Sequence, residues 1–196
     1  MLFNSFVFFF FLIFVVTLYY NVGFKYRKLL LLVSSYVFYG YWDYRFTILL
    51  AISTLVDFFV GRKLYAVDNK NIKKRLLLLS VCVNLGILGL FKYYDFFIDS
   101  FSVIAGQFNQ NLDYLHLNII LPVGISFYTF QTMSYTIDIY REKLKPTNSI
   151  IDFAVFVSFF PQLVAGPIER ARNLLPQIAI NRLPSKEQIN SGIVLL

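Results

Sequence analysis

Apolar positions along this chain fall in long blocks separated by short polar breaks, with neither the strict alternation of a strand nor the stripe of a soluble helix. The blocks run over about 2–20, 29–42, 46–61, 76–92, 119–140 and 153–168. A hydrocarbon core of about 30 Å takes roughly 20 helical residues to cross, so 196 residues hold about six crossings with short loops. The pattern predicts an all-α membrane protein, a multi-span helical bundle forming a single domain. The second block is the weakest, because Leu29 to Gly40 covers only roughly 18 Å at about 1.5 Å per residue unless Tyr41 and Trp42 extend it. No internal repeat, heptad pattern or low-complexity linker divides the chain.

Two blocks contain helix breakers. Pro122 sits near the first turn of the 119–140 block, where its missing donor is tolerated. The 153–168 block is interrupted by Pro161 and by Gly166 and Pro167, and Arg170, Arg172, Arg182 and Lys186 follow it. A segment that enters and turns back reconciles an apolar start with a basic exit, provided that the freed backbone groups face protein or a watery cavity. Between the fourth and fifth blocks, Phe97, Phe101, Ile104 and Phe108 recur at helical spacing beside Asp95, Asp99 and Gln107. That spacing predicts a separate helix lying in the outer interface, then an exposed loop from Gln107 to Asn118. Ser191 to Leu196 resembles the opening of a further apolar run, so the chain is expected to be an incomplete N-terminal portion.

Composition agrees with the pattern: 58% of residues are hydrophobic and only 15% charged, against about 25% charged in soluble domains. The net charge of +7 comes from basic residues concentrated in the breaks, which argues for topology signals and against a nucleic-acid partner. Arg62, Lys63, Lys70, Lys73, Lys74 and Arg75 face one acid, Asp68, and place the 62–75 loop in the cytoplasm. Alternation then puts the N-terminus and the Trp42–Arg45 turn outside, and Lys25, Arg27, Lys28, Arg141, Lys143 and Lys145 inside. Tyr39, Tyr41, Trp42, Tyr44, Tyr93 and Tyr94 are expected to be interfacial anchors. The first block lacks the basic start and small-residue cleavage site of a signal peptide, so it is read as a retained span. Cys82, the single cysteine, excludes an internal disulfide.

An ionisable group at membrane depth costs about 2.5 to 3.5 kcal/mol on insertion scales and so asks for a partner or a purpose. Gly124, Tyr128, Gln131, Tyr135 and Asp138 follow steps of three and four and share one stripe, with Phe130, Met133 and Ile137 on another face. The stripe either lines a substrate path or bonds to neighbouring helices. Asp57, one turn beyond Ser53, is expected near the inner boundary, paired with basic residues. Asn84 with Gly86 and Gly89 suggests close helix approach and an interhelical hydrogen bond. Gln162, between breakers, falls where unwound backbone lines something polar. His116 is read as a loop histidine without metal-ligand or nucleophile partners. No phosphate-binding loop, zinc spacing or nucleophile elbow occurs, so no catalytic or metal-binding residue is assigned.

The stretch LPVGISFYTFQTMSYTIDIYR, 121–141, followed by DFAVFVSFFPQLVAGPIERA, 152–171, resembles the membrane-bound O-acyltransferase family, in its bacterial alginate O-acetyltransferase branch. SSYVFYGYWDYRF, STLVDFFVG and NLGILGLFKYYDFF extend the likeness upstream. The resemblance implies a helical bundle around a tunnel in the bacterial cytoplasmic (inner) membrane. Through it an acyl group, expected to be acetyl, passes from acetyl-CoA or another acyl thioester to an exported polysaccharide or a periplasmic acyltransferase, with no bound cofactor. It marks Gln131, Tyr135, Asp138 and Arg141 in the first motif and Pro161, Gln162, Gly166, Pro167 and Arg170 in the second. The first stripe is expected to face the tunnel. The broken segment is expected to shape its cytoplasmic mouth, with Arg170 against a CoA phosphate. The family's catalytic histidine lies in its C-terminal half; His116 precedes the shared motif and does not take that role, so the chain alone is expected to be inactive. Rival readings are a transporter or channel fragment and a non-catalytic scaffold subunit.

Overall fold

The computed structural model describes residues 5–106, 115–117, 120–163 and 169–180, with 185, 187, 188 and 191, and among these every regular element is helical. Ser5 caps the first helix, α1 (Phe6–Asn21), its hydroxyl accepting from the Phe8 amide at 3.2 Å. Gly23 and Tyr44 precede α2 (Phe24–Gly40) and α3 (Arg45–Ala66). Asn69 caps α4 (Lys70–Leu88), accepting from Asn71 and Ile72 amides at 2.9 and 3.3 Å. A π-helical turn, Gly89–Tyr93, leads directly into α5 (Tyr94–Gly106). Then come α6 (Ile125–Tyr140), α7 (Ile150–Ser158), a single turn α8 (Phe160–Leu163) and α9 (Ala171–Ala179).

The core lies between α3, α4, α6 and α7, where Phe46, Leu50, Phe58, Leu64, Tyr135, Phe153 and Phe156 are buried together. α7 is the most enclosed helix, with every residue from Asp152 to Ser158 buried by α2, α3, α6 and α9. A smaller aromatic cluster joins Phe8 and Phe11 of α1, Phe38 of α2 and Phe160, with ring centroids 5.4 to 6.5 Å apart. Outward positions are also apolar: Phe6, Phe10 and Phe14 stand one turn apart on α1 and are 85%, 68% and 62% exposed. Such a surface is unfavourable in water and ordinary against lipid.

Ion pairs mark one end of the bundle. Lys28 meets Asp152 at 2.8 Å and Lys73 meets Glu142 at 3.5 Å, which gathers the starts of α2, α4 and α7 and the end of α6. At the other end the Lys92 ammonium donates to Ser126 at 3.0 Å, joining the π-helical turn to the start of α6.

Several expectations change. The fourth block and the interfacial helix are one continuous helix over Lys70–Ile104, 35 residues, the one helix among the described residues long and apolar enough to cross a membrane. The π-helical turn absorbs the junction at Tyr93 and Tyr94 without breaking the chain. The 62–75 stretch is not a loop, because α3 runs to Ala66 and α4 starts at Lys70; long basic side chains are good helix formers that can ride on helix ends. The second block begins earlier, at Phe24, giving a helix of 17 residues, about 25 Å. The fifth is helical only from Ile125, with Pro122 ahead of the helix and Gly124 at φ 75° as its cap, a left-handed conformation that suits glycine. Tyr39 is 3% exposed and belongs to the core, whereas Tyr41, Trp42 and Tyr44 are exposed at the turn. There Arg45 binds Asp43 at 2.6 Å and holds its carboxyl below the usual carboxylate range.

Gly86 and Gly89 have nothing within 4 Å of where a Cβ would stand. The close approach belongs to Gly61, where a Cβ would meet Tyr135 Cε1 at 2.7 Å and Ile139 Cδ1 at 3.0 Å. α4 and the π-helical turn leave Gly86 and Gly89 facing open space.

Candidate functional site

The site begins with a break in the backbone. α7 ends at Ser158, Phe159 leaves helical geometry with φ −52° and ψ 102°, and α8 begins at Phe160, one residue before Pro161. An unbroken helix would pair the Phe156 carbonyl with the Phe160 amide. Here each is satisfied from a different helix. The Gln131 amide of α6 donates to the Phe156 carbonyl at 2.8 Å, and the Phe160 amide donates to the Ser35 hydroxyl of α2 at 3.3 Å. In an apolar setting a freed carbonyl or amide must find such a partner. Gln131 and Ser35 are 3% and 0% exposed, so both bonds are shielded from water.

The rest of the α6 stripe is also packed. The Thr147 amide donates to the Tyr135 hydroxyl at 3.2 Å, while the Tyr135 ring lies against Phe153 with centroids 4.4 Å apart. Tyr128 is fully buried, edge-on to Tyr39. Asp138 is 7% exposed near the end of α6, and Arg141 is an exposed cap on that helix. Phe130 on the opposite face is 46% exposed, and Met133 and Ile137 are partly buried. Of the two roles open to the stripe, bonding to neighbouring helices is the one these contacts display.

In the second motif, Pro161 and Gln162 are half-buried in α8, and the Gln162 backbone N–H donates to the Phe159 carbonyl at 3.0 Å. Arg170 is exposed and caps the start of α9. Gly166 and Pro167 lie outside the described residues. α9 returns along α7: Ala171 and Leu175 enter the core, and Leu175, Pro176 and Ala179 line a cavity of about 200 Å³ with Leu144, Lys145, Thr147 and Asp152. Asp152, near the start of α7, and Ala179, the end of α9, thus come to the same end of the bundle.

Asp57 does not pair with basic residues. It is 0% exposed, with Ser80 Oγ 2.5 Å from Oδ1 and the Asn84 amide donating to Oδ2 at 2.8 Å. Asn84 also accepts from the Thr132 hydroxyl at 3.2 Å, so it joins α3, α4 and α6. Sequence reasoning passed over Ser35, Ser80 and Gly61. Small residues inside apolar blocks were their signal, but nothing local says which of them touches a neighbour. His116 lies 3.8 Å from Asp95 and 3.6 Å from Asp99, folded back on α5.

Among known proteins, the chain is similar to the probable alginate O-acetylase AlgI of Pseudomonas putida, 43% identical over 96% of this chain and 39% of the relative. The Pseudomonas aeruginosa protein of the same name is 44% identical over 89% of this chain and 33% of the relative. The peptidoglycan O-acetyltransferase of Helicobacter pylori is 34% identical over 76% of this chain and 32% of the relative. The chain thus spans well under half the length of these relatives. No family model matches it, and no solved structure matches it either.

Proposed function

We propose that this chain, a member of the membrane-bound O-acyltransferase family in the alginate O-acetylase branch, forms the N-terminal part of a multi-span bundle that passes acetyl groups across the bacterial inner membrane. The donor is acetyl-CoA or another acyl thioester in the cytoplasm. The acceptor is an exported polysaccharide or a periplasmic acyltransferase. The sequence likeness over nearly the whole chain carries this reading.

The broken segment gives the likeness a physical role. Gln131 and Ser35 hold a non-helical stretch of backbone inside the bundle, which is the arrangement that irregular backbone needs at membrane depth. Lys28, Lys73, Arg141 and Lys145 crowd the end to which α9 returns, an electrostatic setting that suits an anionic thioester donor. Under positive-inside logic that end is cytoplasmic, which puts the N-terminus outside. Arg170, exposed at the start of α9 and so about 13 Å in from that basic end, suits a CoA phosphate through its guanidinium fork where the donor reaches along α9.

The test uses a whole protein carrying these residues, reconstituted in vesicles with radiolabelled acetyl-CoA on the face bearing the basic end and an oligosaccharide or acyltransferase acceptor on the other. Transfer of label to the acceptor is expected, with Arg170→Ala raising KM for the donor while kcat changes little. Absence of transfer in a correctly inserted preparation would leave the scaffold reading instead.

A further inference from the structure

Among the described residues, Asp57 is the one carboxyl group with no exposed surface, sealed at the junction of α3, α4 and α6, and nothing in the acyl-transfer reading uses it. Its surroundings can be counted hydrogen by hydrogen, the single Thr132 hydroxyl hydrogen being taken up between Asn84 Oδ1 at 3.2 Å and the Thr129 carbonyl at 3.1 Å. The Asn84 amide spends one hydrogen on Asp57 Oδ2 at 2.8 Å and the other on the Ser80 carbonyl at 2.9 Å, which fixes the amide's orientation.

Three oxygen–oxygen contacts remain in a row: Asp57 Oδ1 to Ser80 Oγ at 2.5 Å, Ser80 Oγ to Thr136 Oγ1 at 3.1 Å, and Thr136 Oγ1 to the Met133 carbonyl at 3.1 Å. Each needs a hydrogen between its oxygens. The Ser80 and Thr136 hydroxyls supply two, and the Met133 carbonyl supplies none. With an ionised Asp57 the row is one hydrogen short. With a proton on Oδ1 every contact is filled in a single direction: the acid donates to Ser80, Ser80 donates to Thr136, and Thr136 donates to the Met133 carbonyl.

The charged groups nearby do not offer an alternative counter-charge. On α4, Lys73 is committed to Glu142 at the bundle's end. On α7, Asp152 is taken by Lys28. α6 presents Tyr135, held by Thr147, and Asp138, which is itself acidic. On α3 itself, Arg62 lies over the Phe58 ring at 5.7 Å. Among the described residues no group of three or more His, Cys, Asp or Glu side chains could hold a metal ion. A carboxylate here would have neutral donors only, the costly case for a buried charge.

We propose that Asp57 is a proton-binding site: at neutral pH it is a carboxylic acid whose hydroxyl starts a one-way hydrogen-bond row locking α3, α4 and α6 together. An amide, like a carboxylic acid, presents one donor side and one acceptor side at this position, with one further N–H on the donor side. Asp57→Asn is therefore the chemical mimic of the bound-proton state.

Infrared spectra of the full chain in phosphatidylcholine vesicles at pH 7, wild type minus Asp57→Asn, give the direct readout. The expected difference is a protonated-carboxyl C=O band present in the wild type, shifted in D2O and lost in the variant. Loss of the paired carboxylate bands instead would overturn the proposal. Thermal unfolding gives the second readout. Asp57→Asn is expected to match the wild type, while Asp57→Ala, which removes both donor and acceptor, unfolds at lower temperature. An Asp57→Asn protein that fails to fold would also overturn it, since the mimic would then lack what the native group supplies.

Discussion

Replacing Gln131 by Leu tests how the chain breaks a helix inside the bundle. Leucine has nearly the volume of glutamine, so little cavity forms, and the change is confined to the amide that donates to the Phe156 carbonyl at 2.8 Å. That carbonyl cannot turn to water, because Phe156 is 0% exposed, and it has lost its helical partner to the break at Phe159. Stranding a buried acceptor costs about 1 to 3 kcal/mol. Polar bonds in membrane bundles measure lower, about 0.6 kcal/mol on average and up to about 1.7. The expected loss for Gln131→Leu therefore lies at about 1 to 2 kcal/mol. Trp42, the single tryptophan, reports equilibrium unfolding in mixed micelles by its fluorescence. Phe130→Leu, one residue away on the exposed face, is the control and should fall within about 0.5 kcal/mol of wild type. Ser35→Ala removes the acceptor for the Phe160 amide, so the double variant should be non-additive, because both bonds serve the same break. If Gln131→Leu unfolds with the wild type to within about 0.3 kcal/mol, the freed carbonyl does not depend on α6 and the account of the break fails.

Other expectations follow from the packing. Gly61→Val forces a branched side chain into the 2.7 Å gap before Tyr135, whose ring is pinned by Phe153 and Thr147, so a loss of about 1 to 3 kcal/mol is expected in the same unfolding assay; Gly86→Val, with open space around it, should cost much less. For Lys28 and Asp152, partly buried at 2.8 Å, a double-mutant cycle with Lys28→Met and Asp152→Asn should return a coupling above the 0.2 to 1 kcal/mol or so of exposed pairs; a coupling near zero would mean that α2 and α7 are not joined there. Cys82 is exposed on the longest apolar helix. In sealed vesicles it should resist a membrane-impermeant maleimide and react with a lipid-soluble one, and rapid labelling by the impermeant reagent would argue that this helix is not in lipid.

How much of this was legible in the chain depends on the range of the forces involved. Apolar block length is local information, and an apolar backbone must bond within itself, so all-helical structure followed from the blocks alone. The break near Pro161 was equally local, because proline removes a donor and its ring clashes with the carbonyl four residues back, and the interruption falls at Phe159, between Ser158 and Phe160. Likewise, Lys28 and Lys73, from separate basic breaks, came to one end of the bundle because a charge avoids an apolar interior, with Arg45 and Lys92 at the other end.

Which side chains meet was not local. Gly61, Gly86 and Gly89 look alike in sequence, yet only α3 turns its glycine onto Tyr135. Asp57 had basic residues a turn or two away along the chain, but helix rotation aimed it at Ser80 and Asn84 instead. Tyr39 and Tyr41 are two residues apart, and the end of α2 between them put one in the core and one outside. Even the continuity of the helix through Tyr93 depended on a π-helical turn that no local pattern announces. The amino-acid order determined that each apolar segment is helical, whereas rotation about each helix axis, a degree of freedom settled only by packing one helix on the next, decided which polar atoms found partners.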